Sequence, residues 1–293
     1  MISGPTGFEP TRHALRWPEH GVEMSFRLIP AGRFRMGSRG YKPEEEPIHE
    51  VVIPDPFWMA ETPVTQAQFA LWTRAGGADH KNHFEGRPEN PAENIDWITA
   101  ASFCEWFTRT KGSEFPAGFR IACLPSESHW EYACRAGTET EFYTGDGEAA
   151  MRQAGWHGKN YEGETHPVRQ KAANGFGLFD MHGNVWEWCA DISDSKAYRK
   201  KNDGWVAREW SLDDGGSDAI FWPEGSIDEA AYSRVLRGGC WNFGSRFCRS
   251  ASRLVRFLPE GNKTMGFRVC LVGRLGGAGD GVRGEEDGVG VGC

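Results

Sequence analysis

The sequence predicts an α+β fold in which short strands and a few early helices are joined by long connections. Three observations lead there. The aromatics are unevenly drawn: 13 Trp and 18 Phe stand beside only 6 Tyr, with 38 Gly and 16 Pro in 293 residues. Rings that fill the space between short elements, and turn residues that join them, describe a loop-rich interior rather than long amphipathic helices. Helical signals are confined to the stretch before Gly137, and strand patterns return only near the C-terminal end. Helix and strand signals segregated along a chain indicate α+β rather than an alternating parallel-sheet fold. No internal repeat is present, and nothing in the composition separates two domains.

Taken in order, residues 1–25 are polar and read as an N-terminal arm. An alternating strand pattern opens at Phe26-Arg27-Leu28-Ile29-Pro30, turns at Ala31-Gly32 and resumes at Phe34-Arg35-Met36-Gly37. Pro43-Glu44-Glu45-Glu46-Pro47 reads as a charged loop, His49 to Ile53 as a strand, and Phe57-Trp58-Met59 as its continuation after a Pro-Asp-Pro turn. Thr65 with Gln68 three residues on is a capping-box signature, with Phe69 and Trp72 following at helical spacing. A second helix is expected from near Thr99 and a third from Ser126. Residues 191–231 read as a long surface insertion, a length that is functional or disordered in most proteins. Strands are expected at Arg234–Arg237 and Gly266–Leu271. The Gly-rich, charged stretch 273–293 is expected to be disordered.

Charge and cysteines exclude some functions. The formal net charge of −8 argues against a nucleic-acid partner, which calls for a basic face. The short cluster Arg199-Lys200-Lys201 reads as a solvated loop. Eight cysteines occur without a CxxC pair, so zinc has no spacing signal. No apolar run suits a signal peptide or a membrane span, so a cytoplasmic monomer with reduced thiols is the default expectation.

Several words then align in order with one family. They are Ile29-Pro30-Ala31-Gly32 with Met36-Gly37-Ser38, Glu61-Thr62-Pro63-Val64-Thr65, Pro91 to Trp97, and Leu124-Pro125-Ser126-Glu127 with Trp130-Glu131-Tyr132-Ala133. Asn174 to Trp188, containing Gly183-Asn184-Val185-Trp186-Glu187-Trp188, follows, then Arg237-Gly238-Gly239-Cys240-Trp241 and Gly266-Phe267-Arg268. The chain resembles the formylglycine-generating-enzyme (sulfatase-modifying factor) domain over about 26–272. The resemblance implies a loop-rich variant of the C-type lectin fold. Trp186 and Trp188, read from the residues alone, are core.

The resemblance also poses a catalytic question. The family's oxidases hold copper with two cysteines that closely follow the Gly-Gly-Ser-aromatic word, because soft Cu(I) favours thiolates. Here the first of those positions is Phe243. Cys248 matches the second, and Cys240 replaces the usual Ser with the wrong spacing. No copper and no oxidase chemistry are expected. The family's iron-dependent branch is also unmatched, because His49, His129, His157, His166 and His182 are scattered and read as structural. The resemblance implies a calcium site at Asp180, Gly183, Val185 and Glu187, with side-chain oxygens from Asp180 and Glu187 and carbonyls from the other two. The same segment also reads as a tight turn in which Glu187 accepts backbone N–H bonds.

Residues 240–265 depart from the family pattern. Where polar residues are usual, Phe243, Phe247, Leu254, Val255, Arg256, Phe257 and Leu258 stand. The departure resembles the variable proteins of diversity-generating retroelements, in which adenine mutagenesis of Asn-type codons diversifies this segment. Those seven residues, with Gly244, Ser250 and Ser252, are reachable by such mutagenesis; Trp241, Glu260, Lys263 and Met265 are not. Phe and Leu beside Arg is also the composition of interface hot spots. The expectation is a non-catalytic protein that binds a protein or other macromolecular ligand through Trp241, Asn242, Phe243, Gly244, Arg246, Phe247, Ser252, Leu254, Val255, Arg256, Phe257 and Leu258. An active oxidase built around Cys240 and Cys248, and a fixed-sequence lectin-like adaptor, are the alternatives. On the residues alone, Leu254 to Leu258 could instead be a buried strand.

Overall fold

A computed structural model describes residues 11–160, 162–192, 205–206, 233–257 and 259–273. Most of the expected insertion, the basic cluster, Leu258 and the tail from residue 274 lie outside the described residues.

The described part of the expected N-terminal arm, residues 11–25, belongs to a pair of strands, and residues 1–10 lie outside the described residues. β1 (Arg12–Trp17) and β2 (Val22–Ile29) form an antiparallel hairpin in register from Arg12↔Arg27 to Trp17↔Val22, closed by Gly21 at φ 63°. Arg12, Arg16 and Glu23 made the segment look uniformly polar, but Leu15 and Trp17 alternate with Arg16 and are buried, as on one face of a half-covered sheet. The pattern is too short to separate from loop by composition. On the wet face Arg12 and Arg16 both pair with Glu23.

β3 (Gly32–Met36) pairs with β4 (His49–Ile53), and β5 (Phe57–Ala60) returns beside β2. α1 (Gln66–Arg74) carries the expected capping box: the Gln68 amide donates to Thr65 Oγ1, and the Thr65 amide donates to Gln68 Oε1 at 2.9 Å. α2 (Trp97–Lys111) starts before Thr99, because Asp96 is its N-cap and accepts from the Thr99 amide at 2.7 Å. β6 (Phe119–Cys123) leads to α3 (Glu127–Arg135), capped by Ser126 as expected. A further helix, α4 (Gly147–Ala154), was not foreseen; at eight residues it buries only Ala150, Met151 and Ala154 and leaves little periodic signal. β7 (Trp186–Ile192), β8 (Trp205–Val206), β9 (Ser233–Arg237), β10 (Arg253–Phe257), β11 (Met265–Gly266) and β12 (Cys270–Gly273) complete the chain.

Among the described residues the strands form three sheets, ordered β1-β2-β5-β12-β6, β10-β9-β7-β11 and β3-β4-β8. The last predicted strand is split, because Phe267-Arg268-Val269 leaves the ladder between β11 and β12. The break brings the buried Arg268 guanidinium onto Glu187. Between the sheets and the helices lies an aromatic core in which Phe69 stacks on Phe103 at 5.6 Å and Phe267 meets Phe103 edge-on at 5.3 Å. Trp188 is fully buried and its indole N–H donates to the Ile95 carbonyl at 2.9 Å, so the packing expectation holds there.

Candidate functional site

The segment after β9 sorts into residues that are held and residues that are shown. The held part is residues 248–253. Arg249 donates to both oxygens of Glu45, at 2.9 and 3.0 Å, and its Nε–H donates to the Arg246 carbonyl. Arg253 makes a second two-pronged pair with Glu127, at 2.7 and 2.8 Å. From β9, the fully buried Arg237 reaches the carbonyls of Ser250, Ala251 and Ser252 at 2.9 Å each, while also pairing with Glu131. Burial alone would raise the Glu131 carboxyl; the guanidiniums of Arg135 and Arg237 outweigh it and hold it below the ordinary range. His182 fixes the other end. Its Nδ1 bonds the Cys248 carbonyl at 2.7 Å and the Tyr143 amide donates to its Nε2, so it is a neutral imidazole. Burial pushes its pKa down to about 3.

The shown part flanks that stretch on both sides. Asn242, Gly244 and Arg246 are exposed, and Phe243 and Phe247 are half-buried. The two phenylalanines meet edge-on at 5.3 Å, and Arg246 lies over the Phe247 ring at 4.5 Å. A Cβ on Gly244 would meet nothing, and its φ of −65° suits any residue. Gly239 is the opposite: its φ is 76° and a Cβ there would run into Cys248. Along β10, an edge strand among the described residues, Leu254 turns to the core while Val255 is 36% and Phe257 45% exposed. Among the described residues the buried-strand alternative therefore holds only for Leu254, which is partly buried. Val255, Arg256 and Phe257, with Ser233 and Glu260, line an open hollow of about 440 Å³.

Two expected contact residues are corrected. Ser252 is fully buried, so its side chain shows nothing to a ligand; Ser250, reachable by mutagenesis, is buried as well. Trp241 is a support: it is buried, donates its indole N–H to the Lys263 carbonyl at 3.1 Å and meets Phe84 edge-on.

The calcium set does not fit as a group. Glu187 is committed: Arg268 donates to both its oxygens at 2.7 and 2.8 Å, and the Trp130 indole donates to Oε2 at 2.7 Å. A carboxylate neutralised by a guanidinium at that distance is a poor donor to a second cation. The tight-turn alternative called for backbone N–H donors to Glu187; the donors seen are the side chains of Arg268 and Trp130. Asp180, at φ 55°, accepts from the Arg169 amide, and burial raises its carboxyl to about 6. Gly183, at φ 88°, turns the backbone tightly against Trp156, and Val185 is fully buried.

Cys240 and Cys248, the cysteines of the expected copper word, are both buried. Burial pushes the Cys240 thiol up to about 12 and Cys248 well above its ordinary value, so both are held as thiols. Cys240 donates to Asn242 Oδ1 at 3.1 Å. Phe243, at the first copper-ligand position, places its ring edge-on to Trp186 at 6.1 Å.

Sequence reasoning missed the loop before β4. Tyr41 and Lys42 stand against the held residues: the Arg249 guanidinium lies 3.4 Å over the Tyr41 ring, and Lys42 Nζ donates to the Arg253 carbonyl at 3.2 Å. Glu45, in the stretch that reads as a charged loop, is fully buried. No local signal marks these residues, since their partners lie about two hundred positions away.

Comparison with known proteins agrees with this architecture. Residues 19–272 match the sulfatase-modifying factor enzyme 1-like domain. The formylglycine-generating enzyme of Mycobacterium tuberculosis is 32% identical over 214 residues, covering 55% of this chain and 71% of that protein. The serine/threonine-protein kinase pkn1 of Chlamydia caviae is 27% identical over 274 residues, covering 86% of this chain but 38% of the kinase's length. Among solved structures, Treponema denticola variable protein 1 superposes with a TM-score of 0.71 at 22% identity, covering 90% of this chain and 99% of that one. PvdO from Pseudomonas aeruginosa gives 0.69 at 24% identity, covering 90% and 99%. These likenesses show the fold: α+β, loop-rich and of the C-type lectin class. With a family match across nearly its whole described length, this chain belongs to the formylglycine-generating-enzyme-like, sulfatase-modifying factor domain family.

Proposed function

We propose that this chain is a non-catalytic ligand-binding protein that displays a diversified surface, in the manner of a retroelement variable protein. The observation that carries the reading is the sorting of one segment. Arg246, Val255 and Phe257 are exposed and Phe243, Phe247 and Arg256 half-exposed, the two phenylalanines with one side against the core, and the backbone between them is tied down by Arg237, Arg249 and Arg253. An interchangeable surface needs such a division, because replaced residues must not carry the fold. Contiguous exposed apolar groups rimmed by charge are also what a binding patch looks like. Among the described residues no helix is long and apolar enough to cross a membrane. The name of one structural neighbour, a variable protein, supports the reading.

The oxidase reading draws on relatives named formylglycine-generating enzyme. Against it stand Phe243 at a ligand position and two buried, protonated thiols. The adaptor reading has one observation in its favour, the occurrence of this domain within proteins named serine/threonine-protein kinase. Two tests separate the three. A near-copy of the codons for 240–265, bearing adenines at the differing positions beside a reverse transcriptase gene, is expected; its absence would leave the adaptor. Copper-dependent oxygen consumption with a Cys-containing sulfatase peptide is expected to stay at the buffer rate; turnover abolished by Cys248→Ser would establish the oxidase.

A further inference from the structure

Tyr41, Val255 and Phe257 are large apolar side chains exposed by a third or more, and Lys42 stands next to Tyr41 in the chain. Lys42 Nζ reaches the Arg253 carbonyl at the start of β10 and lies 5.5 Å from the centre of the Phe247 ring. Arg246 approaches the same ring to 4.5 Å. Two cations thus share one phenylalanine, no further apart than the sum of those distances, and among the described residues neither has a carboxylate partner. The rest of this region behaves differently: Arg249, Arg253 and Arg237 are each paired with a buried glutamate. A cation over an aromatic ring with no carboxylate partner among the described residues keeps its charge available, so a carboxylate brought to it is favoured.

The loop that carries Tyr41 and Lys42 is stapled to the segment. Arg249 holds Glu45 and Ser38 Oγ, Arg253 donates to the Glu44 carbonyl at 3.2 Å, and Arg249 stacks on Tyr41. The loop therefore keeps its place whatever residues occupy the exposed positions. β10 itself is poorly suited to pairing with an added strand. The carbonyls of Arg253 and Val255, two residues apart and so on one side of the strand, already accept from Lys42 and from Arg256 Nη1. Cationic side chains closing an edge in this way disfavour strand addition and leave side-chain contact as the mode of recognition.

We propose that Tyr41 and Lys42 form a fixed second wall of the binding surface, and that with Arg246 and Phe247 they take an acidic side chain of a protein partner. Flanking apolar side chains of that partner sit on Val255 and Phe257. This rests on the display reading above, and it names the partner's chemistry: a peptide segment with Asp or Glu beside aliphatic or aromatic residues.

The test is selection from a displayed library of random twelve-residue peptides on the folded protein, followed by titration of the enriched peptides at two salt concentrations. Enriched sequences are expected to pair an acidic residue with apolar neighbours. The double variant Lys42→Gln, Arg246→Gln is expected to bind them roughly tenfold more weakly at low salt, with the difference shrinking as salt screens the charges. Tyr41→Ala is expected to weaken every enriched peptide. Enrichment without acidic residues, or affinity unchanged in the double variant, would overturn the inference and leave the display reading standing. Enriched peptides indifferent to Phe243→Ser and Phe257→Ser would overturn the display reading itself. Thermal melts of each variant keep misfolding from being mistaken for lost binding.

Discussion

Replacing Glu45 by alanine leaves the Arg249 guanidinium buried against a partner that has gone. Two charge-assisted bonds of 2.9 and 3.0 Å are lost, while the Arg246 carbonyl and Ser38 Oγ remain as weaker acceptors. Breaking a buried pair by removing one member costs about 3–5 kcal/mol, because an uncompensated charge stays in a medium that solvates it poorly. A domain of this size loses roughly 2–4 °C of melting temperature per kcal/mol, so a fall of about 10 °C is expected. Arg249→Ala should cost a similar amount. The double variant should cost clearly less than the two singles together, with a coupling of about 1.5 kcal/mol or more. Chemical unfolding of the four proteins supplies the cycle. Additive losses, or a Glu45→Ala cost below about 1 kcal/mol, would refute the claim that this pair ties the segment to the loop.

Other predictions follow from the same geometry. Phe257→Ser should change stability by less than about 1 kcal/mol, whereas Phe103→Ala in the core should cost about 3–5 kcal/mol, both read from urea midpoints. Calcium or a chelator should leave the melting temperature within a degree or so, and Glu187→Gln should destabilise by about 3 kcal/mol or more, since Glu187 serves Arg268 and Trp130; a calcium-dependent rise lost in that variant would restore the cation site. Burial pushes the His129 pKa down to about 4, below its unfolded value, so the unfolded chain binds its proton first. Stability from this group is complete above about pH 6.5 and falls as pH drops toward 4, by about 1.4 kcal/mol per unit. His129→Gln should flatten that part of a urea-midpoint profile, and an unchanged slope would count against the assignment.

What could be read in the sequence was local or tied to a specific word. The capping box at Thr65 and Gln68, the cap at Ser126 and the packing of Trp188 all depend on neighbours within a few residues or on burial that a tryptophan pattern announces. The hairpin partner β1 is hard to read because Leu15 and Trp17 alternate with Arg16 over only a few residues, too short a pattern to stand out from a polar segment. Ser252 and Glu45 were misplaced for a different reason. Arg253 finds Glu127, and Arg249 finds Glu45, across 126 and 204 residues, and no periodicity encodes such a match. Glu187 shows the limit of carrying a role over by position: the residue type was right for a cation, but the fold gave it the Arg268 guanidinium. Phe243 is legible in the sequence in another way: a phenylalanine cannot ligate copper wherever it sits, which is why the proposal is non-catalytic.

The central claim is that one segment is divided between residues free to change and residues that hold the fold. Sequencing the gene from many clones of a single population tests it most directly. The account predicts variation at the codons of Phe243, Gly244, Phe247, Val255, Arg256 and Phe257, with constancy at Arg237, Arg249, Arg253 and Glu45. Variation spread equally over the two sets, or an invariant segment in every clone, would contradict it.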